Sequence, residues 1–221
     1  APESEYLRES IMRVSAAMGD ASAKRKVRPL GEKEGALVVL FEQGLVPQRT
    51  EFNLNVPNFR GNWISVAFPY YSDINWPERK TLRVLDRESS AGATSEVLVD
   101  YGNLAVRHLK EQLPNLIVRQ VLRAFSKYEI QQQSADSFGN VGLFVSSIYT
   151  ILSERADLRS WLTLPHTGQI MRMNLAEGAR DLNLRVAGAN TSFKTNIVAG
   201  KKNVFRDIDV GDSVYIQEMK L

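Results

Sequence analysis

The sequence predicts an α+β fold in which antiparallel or mixed β-sheet strands from both ends of the chain pack against a central group of three helices (101–155). Apolar residues recur every three or four positions through the middle of the chain, which is typical of amphipathic helices. The segments on either side alternate with a period of two, which indicates strands. Helices with one apolar face need a surface to cover it, and the flanking strands are expected to supply that surface.

The composition suits a folded domain with a substantial core and little net charge. The 221 residues include 43% apolar residues, and 28 basic residues nearly balance 25 acidic ones. There is no cysteine, which excludes disulfides, thiolate nucleophiles and cysteine-based zinc sites. No apolar run approaches the roughly 18–20 residues of a membrane-spanning helix.

The amino-terminal region is predicted to be separate from the main domain. Residues 3–18 carry a helical pattern with Ser4 as the cap, and Gly19-Asp20 follows as a stop. The basic run 24–28 then indicates a solvated linker. We therefore predict a helix and linker over 1–27, which either dock on the domain or end a helical repeat region.

The rest of the chain, residues 28–221, is predicted to form a single α+β domain, with 166–221 as a β-rich closing unit. Strand patterns precede the central helices at 36–41, 51–56, 63–68, 81–86 and 96–100. The first of these is a continuous apolar run, which is typical of a central strand covered on both faces.

The central region is predicted to contain three helices. Asp100 is placed to cap a helix ending near residue 112, and Pro114 then favours the start of a second helix that ends near residue 133. A polar loop follows, and a third helix ends at Arg155.

The closing unit is predicted to begin with a β-hairpin. Residues 169–175 and 181–186 both alternate, and Glu177-Gly178 between them is a turn signal. Three further strand patterns follow at 192–198, 203–205 and 213–219.

Residues with catalytic potential are scarce. His108 and His166 are the only histidines, and neither has a second ligand at metal-binding spacing. Glycine-rich nucleotide motifs and the Gly-x-Ser-x-Gly elbow of serine hydrolases are missing. We therefore predict no catalytic, cofactor-binding or metal-binding residue and expect no cofactor.

Aromatic side chains beside prolines and arginines are the best candidates for contacting a partner. Arg159 and Trp161 lie in one such segment, and Tyr70, Tyr71 and Trp76 lie in two others that could form an aromatic groove. Tryptophan and arginine are enriched at binding hot spots. The structural alternatives are that Trp161, with its neighbouring leucines, fills the core and that Tyr70, Tyr71 and Trp76 only pack their loops.

Several segments together resemble a known family. They are 34–49, 66–70, 109–114, 119–120 and 158–165. Through these segments the chain, from about residue 30 onward, resembles the carboxy-terminal half of an uncharacterised family of bacterial lipoproteins. The resemblance implies a tetratricopeptide-like amino-terminal half and a periplasmic, membrane-tethered location in the full-length protein. The lipid-bearing cysteine would lie upstream, and the family supplies no active site to transfer.

These observations predict a non-enzymatic module of the bacterial envelope that binds another protein or a cell-wall component. The alternative is a hydrolase acting on an envelope polymer, with Asp73, Glu78 or Asp157 as candidate acids. Nucleic-acid binding through residues 24–28 is the least favoured interpretation, because the basic run is short and lacks interleaved aromatics.

Overall fold

The computed structural model gives the chain an α+β architecture, with antiparallel and mixed sheets. It describes residues 4–57, 63–71, 78–123, 126, 158, 161–211 and 214–219.

The chain divides into two compact units. The sandwich unit comprises Ala1–Val46, Trp76–Gly102 and Thr163–Leu221. The groove unit comprises Pro47–Asn75 and Asn103–Leu162. The predicted boundary at residue 27 stays a prediction.

The helices in the described part of the chain are α1 (Glu5–Ala17), α2 (Ala21–Lys26) and α3 (residues 101–123). The strands before α3 are β1 (Glu34–Gln43), β2 (Thr50–Pro57), β3 (Trp63–Tyr70), β4 (Leu82–Asp86), β5 (Gly92–Thr94) and β6 (Glu96–Asp100). The strands after it are β7 (Thr167–Ala176), β8 (Gly178–Val186), β9 (Ala189–Ile197), β10 (Lys202–Asp209) and β11 (Val214–Met219). Every predicted strand is present, and among the strands of the described residues the short β5 was missed.

Two sheets form the sandwich unit, and each combines strands from both ends of the chain. The five-stranded sheet has the order β11-β10-β1-β7-β6, with β1 parallel to β10 and antiparallel to β7. The four-stranded sheet has the order β5-β4-β8-β9 and is antiparallel. The predicted central strand is therefore central, since β1 lies in the middle of the larger sheet.

The core of this unit lies between the two sheets. Alternate residues of β1, β7 and β10 in one sheet and of β4, β8 and β9 in the other form one cluster of buried side chains. It contains Leu37, Val39, Phe41, Leu82, Val84, Met171, Met173, Leu175, Leu182, Leu184, Val186, Ile197 and Phe205. The period-two pattern of the sequence therefore produces sheet-on-sheet packing.

The predicted hairpin of the closing unit is wrong. β7 pairs with β1 and β6, whereas β8 pairs with β4 and β9, so the turn at Glu177-Gly178 is a corner between two sheets. Gly178 has φ +117°, which favours glycine, and the Glu177 N–H donates to the carbonyl of Lys33. A tight turn is compatible with a hairpin and with a corner between two sheets. The turn residues therefore do not determine which strand pairs with which.

The predicted helix break at Pro114 is also wrong, because α3 is continuous over residues 101–123. Proline removes one backbone donor and is unfavourable in a helix interior by about 3 kcal/mol. The apolar stripe nevertheless continues across it at Leu109, Leu113, Ile117 and Val121, all of which line one cavity. We attribute the continuity to this stripe. The remainder of the predicted helices, from residue 124 to residue 155, lies outside the described residues apart from Ser126.

The amino-terminal helix docks on the sandwich unit. Ser4 caps α1 as predicted, with its Oγ accepting from the Leu7 N–H and donating to Glu96 Oε2 at 2.6 Å. The Tyr6 hydroxyl donates to the Thr94 carbonyl at 3.1 Å. The predicted linker is partly helical, because Asp20 accepts backbone N–H groups and begins α2. No helix in the described part of the chain has the length and hydropathy needed to cross a bilayer.

Candidate functional site

A groove of about 460 Å³ lies inside the groove unit, between the paired strands β2 and β3 and the helix α3. We call it the apolar groove. Its walls are almost entirely apolar, and its lining residues are Phe52, Leu54, Phe68, Pro69, Tyr70, Tyr71, Val106, Leu109, Lys110, Leu113, Ile117 and Val121. Its size lies within the range of small-molecule sites, roughly 300–1,000 Å³.

The hairpin wall follows from strand alternation. Phe52 pairs directly with Phe68 in the β2–β3 register, and Leu54 and Tyr70 are two residues away along the same face. The rings of Phe52 and Tyr70 meet edge-on, with centroids 6.2 Å apart and an interplanar angle of 82°. Both strands therefore present aromatic side chains to the groove.

The helix wall follows from helical periodicity. Val106, Leu109, Leu113, Ile117 and Val121 recur every three or four residues, so they form one stripe along α3. Leu109 is buried, whereas Ile117 is exposed. The apolar stripe of α3 was predicted to be a buried face, and part of it forms one side of an open groove.

The groove leaves large apolar side chains in contact with solvent. Phe52 is 54% exposed, Leu54 is 45% exposed and Tyr70 is 41% exposed. Single exposed apolar residues are ordinary, but several on one concave surface are typical of a binding site. The groove is therefore our candidate functional site.

Polar groups occur at two places beside these apolar walls. Lys110 is an exposed residue of α3 that lines the groove. Tyr71 is nearly buried, and its hydroxyl accepts from Arg49 Nε at 3.3 Å while the Arg49 guanidinium lies 6.0 Å from the ring centroid. These contacts hold the Tyr71 ring in one orientation in the wall.

The predicted partner-contacting residues divide into three groups. Tyr70 and Tyr71 lie in the groove wall. Trp161 is 80% exposed and is not among the lining residues, so the alternative in which it fills the core is wrong. Arg159 and Trp76 lie outside the described residues.

The sandwich unit contains a carboxylate pair that sequence reasoning missed. Asp207 and Asp209 lie two residues apart on β10, both fully buried and on the same face as the core residue Phe205. Asp209 forms an ion pair with Lys80 Nζ at 2.9 Å and accepts from the Gly211 N–H. Alternation from Phe205 was the available signal, but the strand was predicted to end at that residue.

Asp207 has a different environment from Asp209. Within the described part of the chain, neither Asp207 carboxyl oxygen makes a well-formed hydrogen bond. Burial, and secondly the charge of Asp209, raise the pKa of Asp207 to about 7, although the nearby backbone of Ile208 acts in the opposite direction. The pair is sealed within the sandwich, so a polymeric substrate cannot reach it in this conformation.

The buried side chains of Gln43, Ser95 and Gln169 belong to a structural network. Gln43 Nε2 donates to the Glu78 carbonyl at 2.6 Å, and Gln43 Oε1 accepts from the Lys80 N–H at 3.1 Å. Gln169 Nε2 donates to the Lys80 carbonyl, and its Oε1 accepts from the Ser95 hydroxyl at 2.6 Å. These bonds attach the segment before β4 to the five-stranded sheet.

The two histidines differ in exposure. His108 is exposed on α3, while His166 is buried, with its Nε2 3.7 Å from Asp100 Oδ1. Burial lowers the pKa of His166, Asp100 raises it and Arg79 lowers it, with a net downward shift. Among the residues that the structure describes, no three histidine or acidic side chains are arranged to hold a metal.

The candidate hydrolytic acids are not assembled into a site by the described residues. Glu78 is exposed, and its backbone carbonyl accepts from Gln43. Asp73 and Asp157 lie outside the described residues.

Fold and site together define an α+β protein with a β-sandwich in one unit and an open apolar groove in the other. The chain matches no protein-family model, no curated protein sequence and no solved structure. The resemblance to the lipoprotein family therefore stays a prediction.

Proposed function

We propose that this chain is a non-enzymatic binding module of the bacterial envelope, which recognises another protein or a cell-wall component through the apolar groove. The periplasmic location and the lipid tether of the full-length protein belong to the same proposal and rest on the sequence resemblance. The observation that carries the binding function is the groove itself.

The chemistry of the groove supports binding. Its walls offer aromatic and aliphatic surface for a partner to cover, and burying such surface stabilises a complex by about 25 cal/mol per Å² before the entropic costs of association. The described lining residues include one cation and no carboxylate. An acid–base pair is therefore not available among these lining residues.

The central helices (101–155) are predicted to form a layer, and this proposal uses part of that layer as one wall of the groove. Residues 106–121 of α3 supply that wall. We further propose that the layer as a whole, residues 101–155, covers strand surface.

Site-specific photo-crosslinking in bacterial envelopes tests the proposed function. A photoreactive phenylalanine analogue is placed at Leu54 in the groove or, as a control, at Val210, which is 49% exposed and belongs to the sandwich unit. We expect a discrete adduct from position 54 and none from position 210. Adding Phe52→Asp should remove the adduct, because a charge in the apolar wall opposes burial of the partner.

Equal adducts from both positions, or no adduct from either, would contradict the proposed function. Circular dichroism of each variant should match that of the unmodified protein, so that a lost adduct reports on the groove and not on unfolding.

A further inference from the structure

Lys110 gives the apolar groove a distinctive charge pattern. Among the described residues that line the groove it is the one charged side chain, and it forms no ion pair with any of the described residues. The cation of Arg107, three residues earlier on the same helix, provides a contrast. Its Nε lies 2.8 Å from Glu111 Oε1, so its charge is neutralised. A lysine at an apolar surface lays its methylene stem along that surface and keeps its ammonium group in water. As far as the described residues define it, the groove therefore combines an apolar interior with one positive charge that has no ion-pair partner.

The walls also limit the chemistry of the occupant. An extended peptide would need partners for its backbone N–H and C=O groups, and walls that are almost entirely apolar supply few. A sugar would likewise require several polar contacts for its hydroxyl groups. A hydrocarbon chain requires none, and its burial depends only on apolar area.

The size of the groove is consistent with a slender ligand. A volume of about 460 Å³ would hold only about one turn of a complete helix, which with its side chains is roughly 10–12 Å across with a pitch of about 5.4 Å. The aromatic rings of Phe52, Phe68 and Tyr70 face the aliphatic stripe of α3. This arrangement can cover a linear chain on both sides.

We infer that the apolar groove binds the hydrocarbon chain of a single-chain anionic amphiphile, a long-chain fatty acid, with its carboxylate beside the Lys110 ammonium. This inference rests on the proposed function, because it concerns the same site, and it assigns that site a lipid ligand in place of a protein or cell-wall partner. Attraction between the carboxylate and Lys110 orients the chain, while the apolar walls supply most of the affinity.

Isothermal titration calorimetry with two amphiphiles of equal chain length, both below their micelle concentrations, tests the inference. Dodecanoate should bind, and dodecyltrimethylammonium should bind more weakly because its head group carries the same charge as Lys110. Lys110→Gln should weaken dodecanoate binding about two- to fivefold, the range expected for an exposed ion pair. The same substitution should not weaken binding of the cationic amphiphile.

Arg119→Gln is the matched control, because Arg119 is an exposed cation of α3 that does not line the groove. It should leave both affinities unchanged. Leu54→Asp should abolish binding of both amphiphiles, since Leu54 is part of the apolar wall.

Several results would overturn the inference. They are equal affinity for the two head groups, equal losses from the Lys110 and Arg119 variants, or no binding of dodecanoate. If dodecanoate fails while position 54 still crosslinks to a protein in the envelope, the groove binds a protein and only the choice of ligand class is wrong. If both fail, the proposed function is wrong as well.

Discussion

Asp207 is a carboxylic acid enclosed by a β-sandwich, 0% exposed, and without a well-formed hydrogen bond among the described residues. Ionising it there requires a charge to be held away from water beside Asp209. Asp209 is buried to the same degree but has Lys80 as a counter-charge at 2.9 Å. Two neighbouring acids of one strand therefore lie in different electrostatic surroundings, since Asp209 has a nearby ammonium group and Asp207 lies beside the charge of Asp209.

Asp207→Asn should remove a pH-dependent loss of stability. The pKa of Asp207 is raised from 3.8 to about 7 in the folded protein, so the folded state binds the proton more tightly than the unfolded state. The stabilisation that comes from this tighter proton binding is fully present below the unfolded pKa and is lost as pH rises through about 7. We expect the stability of the variant relative to wild type to rise by about 2–4 kcal/mol between pH 4 and pH 8, measured by urea unfolding.

Asp209→Asn provides the comparison for this measurement. It should destabilise the protein at pH 8, because it leaves the partly buried Lys80 without its counter-charge. A stability difference between Asp207→Asn and wild type that is flat across this pH range would show that Asp207 is hydrated or paired in solution.

Only some of the individual residues of the candidate site could be predicted from the sequence. Tyr70 and Tyr71 stand out in the sequence because aromatics beside Pro69 are conspicuous, and both line the groove. Lys110 carries no such signal, since an exposed lysine in a helix is common, and Asp207 has only the alternation that continues from Phe205. Their significance comes from what the fold places around them.

At the scale of elements, α3 shows how an apolar stripe can continue through a proline. Pro114 lies within the helix of residues 101–123, whereas at the first position of a separate helix it would be favourable. Pro114→Ala distinguishes these two arrangements. In a continuous helix it should stabilise the protein by about 1–2 kcal/mol, since the restored N–H outweighs the greater entropy of the unfolded chain.

Gln112→Ala is the control for this substitution, because Gln112 is an exposed residue of the same helix and alanine is only slightly favoured over glutamine. Thermal unfolding measures both changes. A Pro114→Ala variant that is no more stable than the Gln112→Ala variant would favour a helix that begins again at the proline.

Strand positions were more predictable than strand partners. Alternation located β7 and β8 to within a few residues, but the two strands enter different sheets. Alternation records only that one face of each strand is covered. The choice between a hairpin and a corner depends on residues far away, here β1 for one strand and β4 for the other.

For the whole molecule, the fold class was predictable because apolar periodicity is a local property that each segment carries in its own sequence. The apolar groove was predictable only in part: aromatic residues at Tyr70 and Tyr71 were expected to form a groove, but the α3 wall was not, since residues 52–71 and 106–121 lie far apart along the chain. The sheet-on-sheet core was missed for the same reason. The face of a strand can be predicted from its sequence, but the layer that covers it depends on the complete fold.

Methyl-resolved nuclear magnetic resonance of the chain during titration with dodecanoate tests most directly whether the apolar groove is the binding site. We expect saturable shifts for methyl groups in the groove, at Leu109, Leu113 and Val121, and unchanged signals from the sandwich core at Leu182 and Leu184. Shifts centred on the sandwich methyls, or no saturable shift in the groove, would contradict the assignment of the apolar groove as the binding site.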